Sequence, residues 1–439
     1  MALELTKILK FGTAFNKYFW LRATIFLSLL LTVWQIRFPF VFRRIYAEDG
    51  ALFLSDALAL KFPRDLFEPA AGYSTLIMRL GGRFVSLFPL ADAAMVGAIF
   101  SAICLSFLAA GLFQFNNFSK ENYWGKLLLT LSFLFLPLSS FSAVGNIANL
   151  YIYFMTASAV SLYYHERTTS ELIYKSFVLF IAALSLPLTI FLLPIMFHRI
   201  YLEKQGTGSW KILKSDLFFI LGVILQLTFI LITSFAERVP HLPQSLSKVV
   251  YLYFDRGIGI SLIPKWGFIS GSSANAYYEN SSSLLLSTNT RLAIVMSLVI
   301  LAIFAYFRNY TLISQVTRNQ ILLIAFLGFG YSVLIGLFFN PEPRYMIFTS
   351  FLTIWVILLL HEPMKNEKLK TTFSGYLILV LIFGLTASTH RSQGPDWKPE
   401  LTKAQKICET SEDVRFVFIR TLPLDAKWEV KISCRNLGR

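Results

Sequence analysis

Charge is what this sequence has least of. Only 15% of its 439 residues are Asp, Glu, Lys or Arg, against 55% hydrophobic, and a soluble domain could not bury that much apolar surface. A bilayer is the solvent such a composition calls for. Cysteine is nearly absent, with three residues in all, which excludes a disulfide-built scaffold and a cysteine-rich metal module. The five histidines are scattered along the chain, so nothing points to a His-based metal site. There is no glycine loop followed by Lys-Ser/Thr, no HExxH and no CxxCH. Phosphate-loop nucleotide binding, zinc-protease chemistry and c-type haem attachment therefore lack their signatures.

What is present is a formal charge of +15. The Lys and Arg residues lie between apolar runs and form neither a basic arm nor a zinc-finger pattern, which argues against nucleic acid. Basic loops are the usual topology signal of a membrane protein, and a cationic surface suits lipid phosphates. The segment Met1–Trp20 carries Lys7, Lys10 and Lys17 and no apolar core ahead of a cleavage site. It is expected to form an interfacial helix leading into an uncleaved first span.

Apolar runs of about 17–25 residues, the length that crosses a hydrocarbon core, recur near 21–40, 90–114, 125–143, 147–164, 216–235, 292–307, 320–339, 345–361 and 373–389. The expected fold is an all-α polytopic bundle of about nine spans. With the N-terminus cytoplasmic, the connections Lys120–Lys126, Arg167–Lys175, Arg199–Lys214, Arg308–Arg318 and Lys365–Lys370 all lie inside and all are basic, in keeping with the positive-inside rule. Arg37, Arg43 and Arg44 run against it. The stretch 176–197 is broken at Leu186-Pro187, where proline removes a backbone donor and disfavours continuous helix. Two half-helices that dip in and return are predicted there, with a kinked full span as the alternative.

This topology leaves three extracytoplasmic segments, Arg43–Pro89, Ala236–Thr290 and Arg391–Arg439. The transmembrane part is then 1–390, with outer loops 43–89 and 236–290, and the small outer C-terminal region is 391–439. Ala51–Leu60 and Ser74–Phe88 look amphipathic and suit the membrane surface. The tail reads as short strands, Val414–Ile419 and Trp428–Cys434, which a Cys408–Cys434 disulfide could staple outside the cytoplasm. Cys104 lies within a span.

Two adjacent carboxylates, Glu48 and Asp49, precede Gly50 where the first span emerges. Such a turn can accept a proton from a hydroxyl nucleophile or hold a divalent cation; equally, Asp49 can cap the helix that follows. Downstream come Glu68, Tyr73 and the pair Arg79 and Arg83, whose spacing puts both cations on one helix face, suited to a lipid phosphate or to interfacial anchoring. Arg344 opens a span after Asn340-Pro341-Glu342-Pro343; so close to hydrocarbon, it either binds a phosphate or snorkels. Asn146 and Asn149 lie one turn apart on the same level, for sugar contact or for capping. His241, Asp255, Arg256, Tyr277, Tyr278 and Glu279 either line an acceptor groove or are solvated loop surface.

Together, Ala47-Glu48-Asp49-Gly50, Ala71-Gly72-Tyr73 with Arg79, Asn146-Ile147-Ala148-Asn149 and Arg344-Tyr345 resemble bacterial membrane glycosyltransferases of the GT-C superfamily. The resemblance implies a GT-C-like helical bundle that uses a polyprenyl-phosphate-linked sugar outside the cytoplasm. By position it implies catalysis by Asp49 assisted by Glu48, with Mg or Mn at Asp49 as a candidate cation. It implies donor-phosphate binding by Arg344, Tyr345 and Arg79, and substrate contacts from Tyr73, Asn146, Asn149 and Glu68. In the family the Asp often comes first, whereas here Glu precedes it. The implied partners are the lipid-linked donor, a glycan or glycolipid acceptor and membrane lipids, in a bacterial inner membrane. A surface-polysaccharide polymerase of the O-antigen type and a flippase of lipid-linked sugars are the competing readings; a flippase would more commonly show inverted repeats and mid-membrane polar groups.

Overall fold

The computed structural model describes residues 17–70, 72–116, 118, 122–137, 143–233, 249–250, 253–259, 262, 288–308, 310–311, 313–338, 343–363, 367–385, 395–411, 413–421 and 428–437. For 255–256, 288–292, 305, 338, 343 and 383 the description covers the backbone alone. The expected interfacial helix before residue 17, and His241, Tyr277, Tyr278, Glu279 and the side chains of Asp255 and Arg256, lie outside the described residues.

The chain is mostly helical. The helices are α1 (Lys17–Arg37), α2 (Leu76–Ser86), α3 (Ala93–Gln114), α4 (Tyr123–Phe135), α5 (Leu150–Tyr163), α6 (Thr169–Ser185), α7 (Leu193–Thr207) and α8 (Lys214–Ile232). They continue with α9 (Thr288–Arg308), α10 (Gln315–Phe338), α11 (Met346–His361), α12 (Glu367–Phe383) and α13 (Trp397–Thr410). Strands β1 (Phe416–Arg420) and β2 (Glu429–Ser433) pair antiparallel, Phe418 opposite Lys431.

Four stretches, Lys17–Arg37, Leu90–Gln114, Lys214–Ile232 and Gln315–Leu337, are long and apolar enough to cross a membrane. Their surroundings differ. Leu90–Gln114 is 72% buried and Lys214–Ile232 only 28%. The small residues Ala94, Gly97, Ala98, Ser101, Ala102, Ala109 and Ala110 let neighbouring backbones close on α3. By contrast, α8 presents Leu217, Phe218, Leu221, Ile224, Leu225 and Leu231 outward. An apolar face of that extent needs lipid or protein over it. α1 buries Phe19, Phe26, Leu30 and Trp34, one stripe at helical spacing. Every residue of α5 is buried, which explains why its sequence is apolar all round.

Contacts at the helix ends sort them onto two faces. Asp49, Asn149, Ser185, Gln226 and Thr233 meet on one: Ile147 N–H donates to Asp49, Ile77 N–H to Ser185 Oγ, Gln226 to the Ser74 carbonyl and Thr233 to the Gly72 carbonyl. On the opposite face Arg22 donates to Gln114, Lys214 N–H to Glu166, and His165 Nδ1 lies 2.7 Å from Glu203 Oε1. The α6–α7 segment starts from a capping box, Thr168 with Glu171. It breaks at Leu186, ahead of Pro187, and ends on left-handed Gly208. Its two ends, near Thr168 and Glu203, lie together on the second face, while Ser185 reaches the first. The segment therefore runs up and back as a helical hairpin.

The C-terminal segment folds against the first face. Trp397 N–H donates to the Arg43 carbonyl at 2.8 Å and its indole to the Leu90 carbonyl at 2.6 Å. Arg44 and Arg43 both pair with Asp396, at 2.8 and 3.6 Å, and Arg37 donates to the Leu385 carbonyl at 3.0 Å. Each of these three arginines, which run against the charge rule in the expected topology, has a partner in the C-terminal third. Helix α13 was not expected from the sequence, although Trp397, Leu401, Ala404 and Cys408, its buried residues, recur at helical spacing.

Cys408 and Cys434 form a disulfide with Cα atoms 5.4 Å apart, closing 26 residues. Removing it with Cys408→Ser and Cys434→Ser is expected to cost about 3 kcal/mol of tail stability through lost loop constraint. Limited proteolysis should then cut the 397–437 region at a reductant-insensitive, faster rate than in the wild type, and equal rates in both proteins would contradict the expectation.

Candidate functional site

The acidic turn is built by unusual backbone. Ala47 has φ +40°, a conformation that non-glycine residues adopt at a cost of roughly 1–3 kcal/mol and that clusters at functional sites. It is held by two amide donors to its carbonyl, Gly50 N–H at 3.2 Å and Ala51 N–H at 3.1 Å. Chain then winds as a wide helical turn, Asp49–Leu54, continuing as Ser55–Ala59. Gly50 sits under the tail sheet: a Cβ there would lie 2.6 Å from Val430 Cγ2 and 2.8 Å from Ile45 Cγ2. Ser55 Oγ donates to the Gly50 carbonyl and accepts from Lys431 N–H. The tail thus clamps the turn in place.

Asp49 opens this turn, with Glu48 at the N-cap position. Its carboxylate receives Ile147 N–H at 3.0 Å and Ala148 N–H at 2.7 Å, so it caps the start of another element, the turn Ile147–Asn149 that leads into α5. Asn146 Oδ1 accepts from the same Ala148 N–H at 2.8 Å. Gly145, with φ +65° and Val41 at 2.9 Å from where a Cβ would sit, delivers that turn to Asp49. Asn146 and Asn149 are fully buried. Beside Asp49 is a cavity of about 20 Å³, lined by Arg44, Ile45, Gly145 and Ile147, room for one water.

Glu48 faces the other way. Its Oε1 lies 3.3 Å from Arg344 Nη1, with side chains 19% and 16% exposed. Its Oε2 is buried and has no hydrogen-bond partner among the described residues. Arg344 leans over the Tyr345 ring at 5.2 Å. Glu48, Arg344 and Tyr345 are thus brought together at the start of α11. Tyr73 lies in the turn before α2, where its backbone pairs with that of Ala70.

The structure sends Arg79 and Arg83 elsewhere. Arg79, 2% exposed, pairs with Asp56 and lies over the Phe53 ring; Arg83 pairs with Asp65 at 2.8 Å and donates to the Leu60 carbonyl at 3.0 Å. Their shared helix face is real, but each charge is met by a carboxylate from the preceding segment. Glu68 is half-buried at the end of the short helix Arg64–Phe67. An open cleft of about 410 Å³ lies under the tail between Pro89 and Gln405, and its one cation, Lys398, is paired with Asp92 at 3.1 Å.

Among the described residues no group of three or more His, Cys, Asp or Glu side chains is gathered for a metal ion. Both Asp49 oxygens already accept amide protons, and the Glu48 carboxylate stands beside a guanidinium. These donors do not fit the six-oxygen shell a magnesium-like ion needs, so no step is routed through a cation.

No family model matches this chain, and neither any curated protein nor any solved structure does so.

Proposed function

We propose that this chain is a bacterial inner-membrane glycosyltransferase of GT-C type. It moves a sugar from a polyprenyl-phosphate donor to a hydroxyl of a surface glycan or glycolipid. The observation that carries the reading is the Glu48–Arg344 pair, in which a buried carboxylate oxygen has no hydrogen-bond partner among the described residues and the guanidinium sits at the start of an apolar helix. A base beside a phosphate-sized cation at the bundle rim is what transfer from a lipid phosphate requires.

In the proposed reaction the acceptor oxygen attacks the anomeric carbon and its proton passes to Glu48 Oε2. The anomeric C–O bond breaks with its electron pair leaving on the polyprenyl phosphate, whose charge Arg344 meets. A donor phosphate also competes with Glu48 for Arg344. Asp49 is a positioning residue here, because its two carboxylate oxygens hold the amides that open the turn into α5. Arg79, engaged by Asp56, steadies α2 against the acidic segment.

The Cys408–Cys434 disulfide supports an extracytoplasmic tail, since such bonds persist outside the cytosol. The acidic turn packs on that tail, so donor and acceptor would meet on the outer side. The basic residues Arg167, Lys175, Arg199 and Lys214 then belong to the cytoplasmic face. The α6–α7 hairpin, entering and leaving on that face, keeps the alternation of the helices that follow.

Arg344→Ala is expected to raise the donor KM about 10- to 100-fold, the loss of a charge-assisted contact. Arg344→Lys should recover part of this. Steady-state transfer kinetics with purified protein measure it; an unchanged KM in Arg344→Ala would remove the phosphate role.

A further inference from the structure

On the second face, where α7 gives way to α8, the surface mixes rings with cations. Trp210 is 62% exposed and Ile212 55%. Phe197, Tyr201 and Lys204, all exposed, recur at helical spacing along one side of α7, and Lys204 Nζ stands 4.2 Å from the centre of the Trp210 ring. The loop therefore folds back onto that side of α7 and makes one patch with it. Lys204, Lys211 and Lys214 are exposed. The acids of this end are engaged elsewhere: Glu203 lies 2.7 Å from His165, Asp216 pairs with Arg199, and Glu166 accepts from Lys214 N–H. The patch is thus apolar and positive at once.

The rest of this face is dressed alike. Tyr18 and Trp20 stand exposed at the start of α1, Tyr123 and Trp124 at the start of α4, and Tyr310 after α9. The Arg22–Gln114 contact and the Phe113–Tyr123 ring contact at 5.2 Å place the first two groups here. Tyr310 follows because α10, which comes next, runs toward Arg344 on the first face. Lys17 lies over the Tyr18 ring at 5.2 Å and Arg318 over the Tyr310 ring at 3.8 Å. Among the described residues the other exposed tyrosine, Tyr376, lies within α12, and the exposed rings of the first face are phenylalanines such as Phe62, Phe88 and Phe418. Rings with a polar edge, gathered at one level beside cations, mark the depth of lipid headgroups.

We propose that the α7–α8 patch is a binding site for phospholipids of net negative charge. Lys204, Lys211 and Lys214 meet the headgroup, and Trp210 and Ile212 sit against the upper part of its acyl chains. A soluble anion would leave Trp210, Ile212 and Phe197 facing water, and an apolar partner would leave three ammonium groups uncompensated. An anionic lipid answers both. A zwitterionic lipid brings its own cation to the patch, so charge selects against it. The inference concerns the face opposite the Glu48–Arg344 pair and does not rest on the glycosyl-transfer reading.

The test reconstitutes the full chain in phosphatidylcholine vesicles that carry a small fraction of phosphatidylglycerol or phosphatidylcholine brominated near the glycerol end of its chains. Bromine quenches tryptophan in contact with the lipid, and the difference between wild type and Trp210→Phe isolates the Trp210 signal from the other tryptophans. At low salt, brominated phosphatidylglycerol is expected to quench that signal with an apparent affinity about fivefold or more above brominated phosphatidylcholine, the worth of a single cation near an anionic surface. High salt should weaken the preference. Lys204→Gln, Lys211→Gln and Lys214→Gln combined, all at exposed side chains, should bring the two lipids to parity with the melting point unchanged. The inference is overturned by equal quenching from both lipids in wild type, by a preference that salt does not weaken, or by one that the triple variant retains. Absence of quenching by either lipid also overturns it, since Trp210 would then stand in water and the patch would be open to a soluble partner.

Discussion

Glu48→Gln is expected to lower the transfer rate by about 10²- to 10⁴-fold, the usual contribution of a positioned general base, while leaving the folded protein intact. The amide keeps the size of the side chain and can still lie against Arg344, but it takes no proton. The Oε2 position, buried and without a hydrogen-bond partner among the described residues, gains a donor group that water or acceptor can meet. Asp49→Asn should behave differently. Asp49 receives Ile147 N–H and Ala148 N–H on its two oxygens, and an asparagine points its amide at one of these donors. Its main effect should therefore be on the entry to α5, about 1–3 kcal/mol of stability. Thermal unfolding beside activity separates the two. A melting point unchanged in Glu48→Gln and lowered in Asp49→Asn supports the assignment; the reverse pattern would return the base to Asp49.

On the opposite face, Arg199→Ala should destabilise the protein by about 3–5 kcal/mol, because it strands a buried carboxylate. Arg199 and Asp216 pair with side chains 5% and 0% exposed. Arg199 also donates to the Leu162 carbonyl at 3.2 Å, and Asp216 receives Leu213 N–H at 2.8 Å. Lys175, fully buried, donates to the Tyr164 carbonyl in the same region. The pair ties the returning arm of the hairpin, α7, to the start of α8 and the end of α5. Asp216→Asn should cost less than Arg199→Ala, since it keeps an acceptor for Leu213. In the double variant the second change should cost little beyond the first, because the stranded charge is gone. Denaturation in detergent, run as a double-mutant cycle, measures this. Additive losses would mean that the two side chains act independently and would remove the hairpin anchor.

The helices were legible because their apolar runs are long. The apolar run 216–235 begins two residues inside α8, and the break before Pro187 followed from the chemistry of proline. The run 125–143 was less so: α4 ends at Phe135, where Leu136-Pro137 follows, and apolar composition alone continues past that stop. Helix α13 was hidden by its polar residues, since four buried positions among fourteen give a weak signal. At the site, the sequence marked Glu48, Asp49 and Arg344 but not which groups meet the carboxylates: amides of 147 and 148 for Asp49, and Arg344, remote in the chain, for Glu48. Arg79 and Arg83 share a helix face, which spacing gives. Their partners Asp56 and Asp65 come from the segment before α2, and no periodicity announces those contacts.

The account turns on sugar transfer at the Glu48–Arg344 pair. The most direct measurement is to reconstitute purified wild type and Glu48→Gln in liposomes with a radiolabelled polyprenyl-phosphate sugar and a glycan acceptor. The label should move to the acceptor with wild type and fail to do so with Glu48→Gln. Passage of the intact labelled lipid from one leaflet to the other, with no label on the acceptor, would contradict the account and favour a flippase.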